Sequence, residues 1–68
     1  REQGISHKGI KIGNNCWIGS GAVFLDGAEL GDGCVVGANA VVTKKFSSNI
    51  VLAGIPAQVV KKRGTENG

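Results

Sequence analysis

Large apolar residues stand at Ile12, Ile18, Phe24, Leu30, Val36 and Val42, six positions apart without interruption. Four residues after each of the first five comes a small one: Cys16, Ala22, Ala28, Cys34 and Ala40. Glycine follows the anchor at Gly13, Gly19, Gly31 and Gly37. A period of six fits neither an amphipathic helix, with its three- or four-residue spacing, nor one flat strand, with its spacing of two. Six is a multiple of two, so a short strand can fill part of each unit, and the remainder has to turn a corner. Gly and Asn tolerate the backbone angles that corners need. A chain that turns after every hexad coils, and its coils stack by parallel strand pairing. The pattern therefore predicts an all-β solenoid in which anchors and small residues point at a narrow axis.

The hexads run from Ile12 to Val41, and a sixth opens at Val42. Residues 1–9 are polar and out of register, which predicts a lead-in loop. The solenoid is expected over residues 10–45, about two coils. At Phe46 the small slot holds a large ring, so the repeat is expected to fail there. Ser47-Ser48-Asn49 reads as a turn, Ile50-Val51-Leu52 as a last strand, and Ala53 to Ala57 as a tight bend. Residues 46–63 are expected to cap the coil, with Gln58 to Arg63 a strand or short helix against its open end. Phe46 and Ile55 are candidates for an apolar lid, because an uncapped solenoid end is a liability. Residues 64–68 read as a frayed tail.

Composition narrows the picture. The chain has 68 residues and a net charge of +3, mild for a nucleic-acid binder. One Trp and two Phe, without basic-aromatic alternation, also argue against nucleic acid. No apolar run is long enough for a membrane helix. Two coils are fewer than solenoids usually need. The expectation is the C-terminal piece of a longer solenoid, or a short chain that survives by oligomerising. Cys16 and Cys34 occupy the slot that alanine fills elsewhere, so they read as reduced, inward thiols in a cytoplasmic protein. Stacked coils would also bring them within disulfide range, which keeps that alternative open. Trp17 follows the inward Cys16 and should face outward, as part of a subunit interface or the wall of a reaction site.

The order of motifs carries a resemblance. Ile12-Gly13-Asn14-Asn15-Cys16-Trp17-Ile18-Gly19-Ser20-Gly21, then Val36 to Lys44 (Val-Gly-Ala-Asn-Ala-Val-Val-Thr-Lys), then Val51 to Ala57 (Val-Leu-Ala-Gly-Ile-Pro-Ala) are similar to the C-terminal third of the hexapeptide-repeat acetyltransferases, in their maltose/galactoside O-acetyltransferase-like branch. The resemblance implies a left-handed parallel β-helix with three hexads per triangular coil. Ile12 then sits under Leu30, Ile18 under Val36, Phe24 under Val42 and Cys16 under Cys34. It further implies a homotrimer with active sites between neighbouring solenoids, and acetyl transfer from acetyl-CoA to a hydroxyl of a sugar or other small acceptor. Carried over by position, the acetyl-CoA contacts are Ser20, Ala38, Thr43, Lys44, Gln58 and Lys61; Gln58 stands where members often carry Arg. The chemistry of CoA suits these types. Its phosphates call for cations, available as Lys44, Lys45, Lys61, Lys62 and Arg63, and its amide arm calls for close backbone approach. No metal is implied.

A hydroxyl acceptor needs a general base, and histidine fits best near neutral pH. The one histidine, His7, lies only ten residues before Trp17, whereas the family's base precedes that motif by a few dozen. The base is therefore expected upstream of Arg1, with His7 not in that role. Three other readings compete. The same solenoid serves serine, sugar-nucleotide and acyl-carrier-dependent acyl transfer. A zinc carbonic anhydrase of this fold needs several His ligands, which one histidine does not supply. A structural or assembly solenoid without activity is the third.

Overall fold

The computed structural model describes residues 9–64. The lead-in residues 1–8, with His7, and the tail 65–68 lie outside them. Among the described residues there are nine strands and no helix: β1 (Lys11–Ile12), β2 (Trp17–Ile18), β3 (Val23–Phe24), β4 (Glu29–Leu30), β5 (Val35–Val36), β6 (Val41–Val42), β7 (Lys45–Phe46), β8 (Ile50–Ala53) and β9 (Gln58–Lys62). They form three sheets, one per side of a triangular coil. Face A is β1-β4-β7, face B is β2-β5-β8-β9 and face C is β3-β6. All pairings are parallel except β8 with β9, which is antiparallel.

Two-residue strands cannot satisfy one another within a coil, so the backbone turns to the coils above and below. In register, Ile12 lies beside Leu30, Ile18 beside Val36 and Phe24 beside Val42, eighteen residues apart in each case as the hexad arithmetic requires. The N–H groups of Trp17, Gly19 and Val23 donate to the carbonyls of Cys34, Val36 and Ala40 at 2.8–2.9 Å. At the corners the direction reverses: the N–H of Gly33 donates to Asn14 O and that of Asn39 to Ser20 O. The thiols join this scheme. Cys16 Sγ approaches Gly31 O at 3.3 Å and Cys34 Sγ approaches Ser47 O at 3.1 Å. Both cysteines are free.

The inward slots are the expected ones, but their burial is graded. Leu30, Val36 and Val42 of the second coil are buried, with Ala28, Cys34 and Ala40 beside them. The equivalent anchors of the first coil, Ile12 and Ile18, remain 47% and 41% exposed. Their slot is the same; no described coil lies against their other side.

The third coil departs from the hexad rule. Phe46 pairs with Leu30, and Leu52 with Val36, sixteen residues on instead of eighteen. Phe46 is thus an anchor in register on face A and not an oversized residue in the small slot. Two residues are lost at the corner between Val42 and Phe46, where Thr43-Lys44 replaces the four residues Leu25 to Ala28 of the coil below. The small slot over Cys34 is then taken by Ile50, which is buried, and Ala57 closes the end beside it. The lid expected from Ile55 does not form; Ile55 is 74% exposed at the tip of the β8–β9 turn. Ile50 fills the axis instead, and no further described coil lies above it to demand a small residue.

At the corners, residues with left-handed backbone stand in columns: Asn15, Gly33 and Asn49 in one, Gly21 and Asn39 in another. The side-chain oxygen of Asn49 fills the space a Cβ on Gly33 would need. Asparagine on one coil therefore requires glycine on the neighbouring coil. Gly33→Ala is expected to destabilise the protein by roughly 1–3 kcal/mol, through a left-handed backbone that alanine resists and the collision with Asn49. Denaturant unfolding measures this, and a change within ~0.5 kcal/mol would contradict the column rule.

Candidate functional site: the edge between faces B and C

The corner that follows face B is built from small residues in vertical register. Gly19 lies against the backbone of Ala38, and Gly37 lies against Ala53, whose Cβ is 3.4 Å from where a Gly37 Cβ would be. Ser20 and Ala38 are consequently neighbours, joined by the Asn39 N–H on Ser20 O at 2.9 Å, and both are exposed. The column continues upward through Ala53 and Gly54, with the Gly37 N–H on Leu52 O at 2.8 Å. Gln58 of β9 stands opposite Ala53. Three of the six positions, Ser20, Ala38 and Gln58, thus share one edge of the prism.

Lys61 lies further along β9, opposite Val51 on face B. Thr43 and Lys44 occupy the shortened corner at the far side of face C, both exposed. There the Lys44 ammonium stands over the Phe46 ring, 5.6 Å from its centroid, within the range of a cation–π contact. The six positions therefore do not converge on one point. They border face C and the upper part of face B, and the described residues enclose no cavity. The surface here is an open edge bordered by backbone groups and exposed lysine side chains.

The three outer faces differ in chemistry. Face A presents Lys11, Glu29 and Lys45 in register, with Lys45 Nζ 3.7 Å from a Glu29 carboxylate oxygen. Face B presents Trp17, Val35 and Val51, and face C presents Val23 and Val41. Trp17 is 76% exposed, as its place after the inward Cys16 predicts. Among the described residues no group of three or more His, Cys, Asp or Glu could hold a metal ion, and no helix is long and apolar enough to cross a membrane.

Besides Lys45, paired with Glu29, a second of the candidate cations is engaged within the fold. Arg63 Nη1 donates to the Gly33 carbonyl at 2.6 Å, and its backbone N–H donates to Asn49 O at 2.8 Å. Sequence reasoning grouped Arg63 with Lys61 and Lys62, and nothing local distinguishes it; its partner is thirty residues away. Phe46 beneath Lys44 was also missed. A signal for it existed, since Phe46 and Leu52 are themselves six apart.

A family profile described as bacterial transferase hexapeptide (six repeats) matches residues 9–44. The galactoside O-acetyltransferase of Escherichia coli (strain K12) is 47% identical over 53 residues, 78% of this chain and 26% of the relative. Among solved structures, a maltose O-acetyltransferase from Clostridium difficile 630 superposes with a TM-score of 0.77 at 46% identity, covering 79% of this chain and 29% of that one. A galactoside acetyltransferase in complex with coenzyme A gives a TM-score of 0.80 at 43% identity, covering 85% and 29%. The chain spans between a quarter and a third of the length of the proteins it matches.

Proposed function

The chain belongs to the bacterial transferase hexapeptide family and is a left-handed parallel β-helix, and we propose that it forms the C-terminal, cofactor-binding part of an acetyl-CoA-dependent O-acetyltransferase in the cytoplasm. The observation that carries this reading is the edge between faces B and C. Small residues stacked in two adjacent columns, Gly19, Gly37 and Ala53 beside Ser20, Ala38 and Gly54, leave a strip where an amide-bearing chain can approach the backbone closely, and cations stand near it at Lys61 and, across face C, at Lys44. That combination fits the pantetheine arm and phosphates of CoA. A structural neighbour at 43% identity holds coenzyme A, which supports the same ligand here.

In this reading Ser20 and Ala38 border the pantetheine arm, Thr43 and Gln58 add polar contacts, and Lys44 and Lys61 meet phosphate. The acceptor is a small molecule with a hydroxyl, a sugar by analogy with the galactoside and maltose enzymes it resembles. A base takes the hydroxyl proton as the oxygen attacks the thioester carbonyl, and the CoA sulfur leaves and is protonated. Residues 9–64 contain no histidine, so a histidine base comes from outside them, and we assign it to a residue other than His7.

Subunit assembly follows from the unequal faces. Face A is charged and suits water, whereas faces B and C carry Trp17, Val35, Val51, Val23 and Val41 and suit contact with other copies. Two different apolar faces on one chain favour a heterologous contact that closes into a ring, and we assign the ring as a homotrimer, with Trp17 at the interface or beside the acetyl site.

Two measurements test this. Isothermal titration should show acetyl-CoA binding, weakened roughly 5–30-fold by Lys61→Ala through loss of a charge-assisted contact and weakened further by added salt. Binding of acyl carrier protein in place of CoA would move the protein to another branch, and binding of neither would favour a purely structural solenoid. Light scattering should give three copies per particle, and Trp17→Asp should shift that to monomer by placing a charge in an apolar contact. An unchanged particle mass would remove Trp17 from the interface.

A further inference from the structure

β9 is an edge strand that buries none of its side chains. All five of its residues are exposed, Val59 at 48% and Val60 at 62%. Among the described residues it pairs with β8 alone, and the register shifts between Val51 and Leu52. A strand with no buried side chain and a bulge beside it has little to fix its register. Two contacts flank it. Before it, Ala57 is buried and its N–H donates to Val41 O at 2.7 Å. After it comes Arg63, whose backbone N–H binds Asn49 O of the third coil and whose Nη1 binds Gly33 O of the second.

From this geometry we infer that Arg63 is a positioning residue: it clamps the end of β9 to two coils and so holds Lys61 in place opposite Val51. The inference rests on the proposed function, in which Lys61 meets a CoA phosphate. It separates two residues that charge alone groups together. Lys61 is exposed with its ammonium available, whereas the guanidinium of Arg63 is engaged on a carbonyl. Arginine suits the task because its planar, permanently charged group sits at the end of a long stem. Gly33 supplies the other half of the contact through its backbone carbonyl. Gln58 lies at the opposite end of β9, next to the buried Ala57, and is held independently of the clamp.

The test is a double-mutant cycle on the full chain, read by titration with CoA. Arg63→Ala should weaken binding roughly 3–10-fold when Lys61 is present and cause no further loss in the Lys61→Ala background, because coupled residues are non-additive. In a Gln58→Ala background the loss from Arg63→Ala should be undiminished. Equal losses with and without Lys61 would mean that Arg63 touches the ligand or acts on the whole fold, and would overturn the inference; so would no loss at all. If the parent chain does not bind CoA, the proposed function fails first, and amide exchange then decides the clamp alone. Faster exchange at Val60, Lys61 and Lys62 in Arg63→Ala supports it, and unchanged exchange overturns it. Arg63→Lys, which keeps the charge, serves for the same cycle and exchange measurement should the alanine variant not fold.

Discussion

Each coil of this protein makes most of its backbone hydrogen bonds to neighbouring coils, and the rest of the structure depends on that vertical ladder. Strands of two residues form no useful surface alone. Stacked in register at the usual strand spacing of about 4.8 Å, they fix every corner over the corner beneath it. Columns follow from this: anchor on anchor, small residue on small residue, asparagine against glycine. A change at one position is then felt one coil away, at eighteen residues' distance in the lower coils and sixteen in the upper.

The ladder also explains how an open edge can be a binding surface. A pocket needs walls, and this prism has none among its described residues. It has straight edges instead, and small residues repeated along one of them give a strip of accessible backbone. In the proposed function a long, thin ligand with amide groups would follow such a strip, and its charged end would meet side chains that reach beyond the coils. The cap formed by β8 and β9 matters because it carries such side chains at the end of the strip, and the cap is held there by contacts to the coils and not by a core of its own.

The six-residue period made the coiling, the inward slots and the outward Trp17 readable directly, because each depends only on spacing, whereas three hexads to a triangular turn came from the family resemblance. The two-residue loss between Val42 and Phe46 was not read. The template placed Phe46 in a small slot, and the polar Ser48 at the expected anchor position was the sign that the register had moved. The graded burial from Ile18 to Val36 was invisible because spacing specifies a slot and not what covers it. The role of Arg63 was invisible for a different reason: a guanidinium engaged on a carbonyl thirty residues away leaves no trace in local sequence. The candidate contacts Ser20 and Ala38 were legible as repeat positions, whereas the separation of Lys44 from Lys61 across face C emerged only with the topology.

The ladder with its change of step is tested most directly by nuclear Overhauser contacts between backbone protons of neighbouring strands. The account predicts contacts linking Ile18 with Val36, and then Val36 with Leu52 and Leu30 with Phe46. Contacts linking Leu30 with Ser48 and Val36 with Gly54, which an unbroken eighteen-residue step would give, would contradict it.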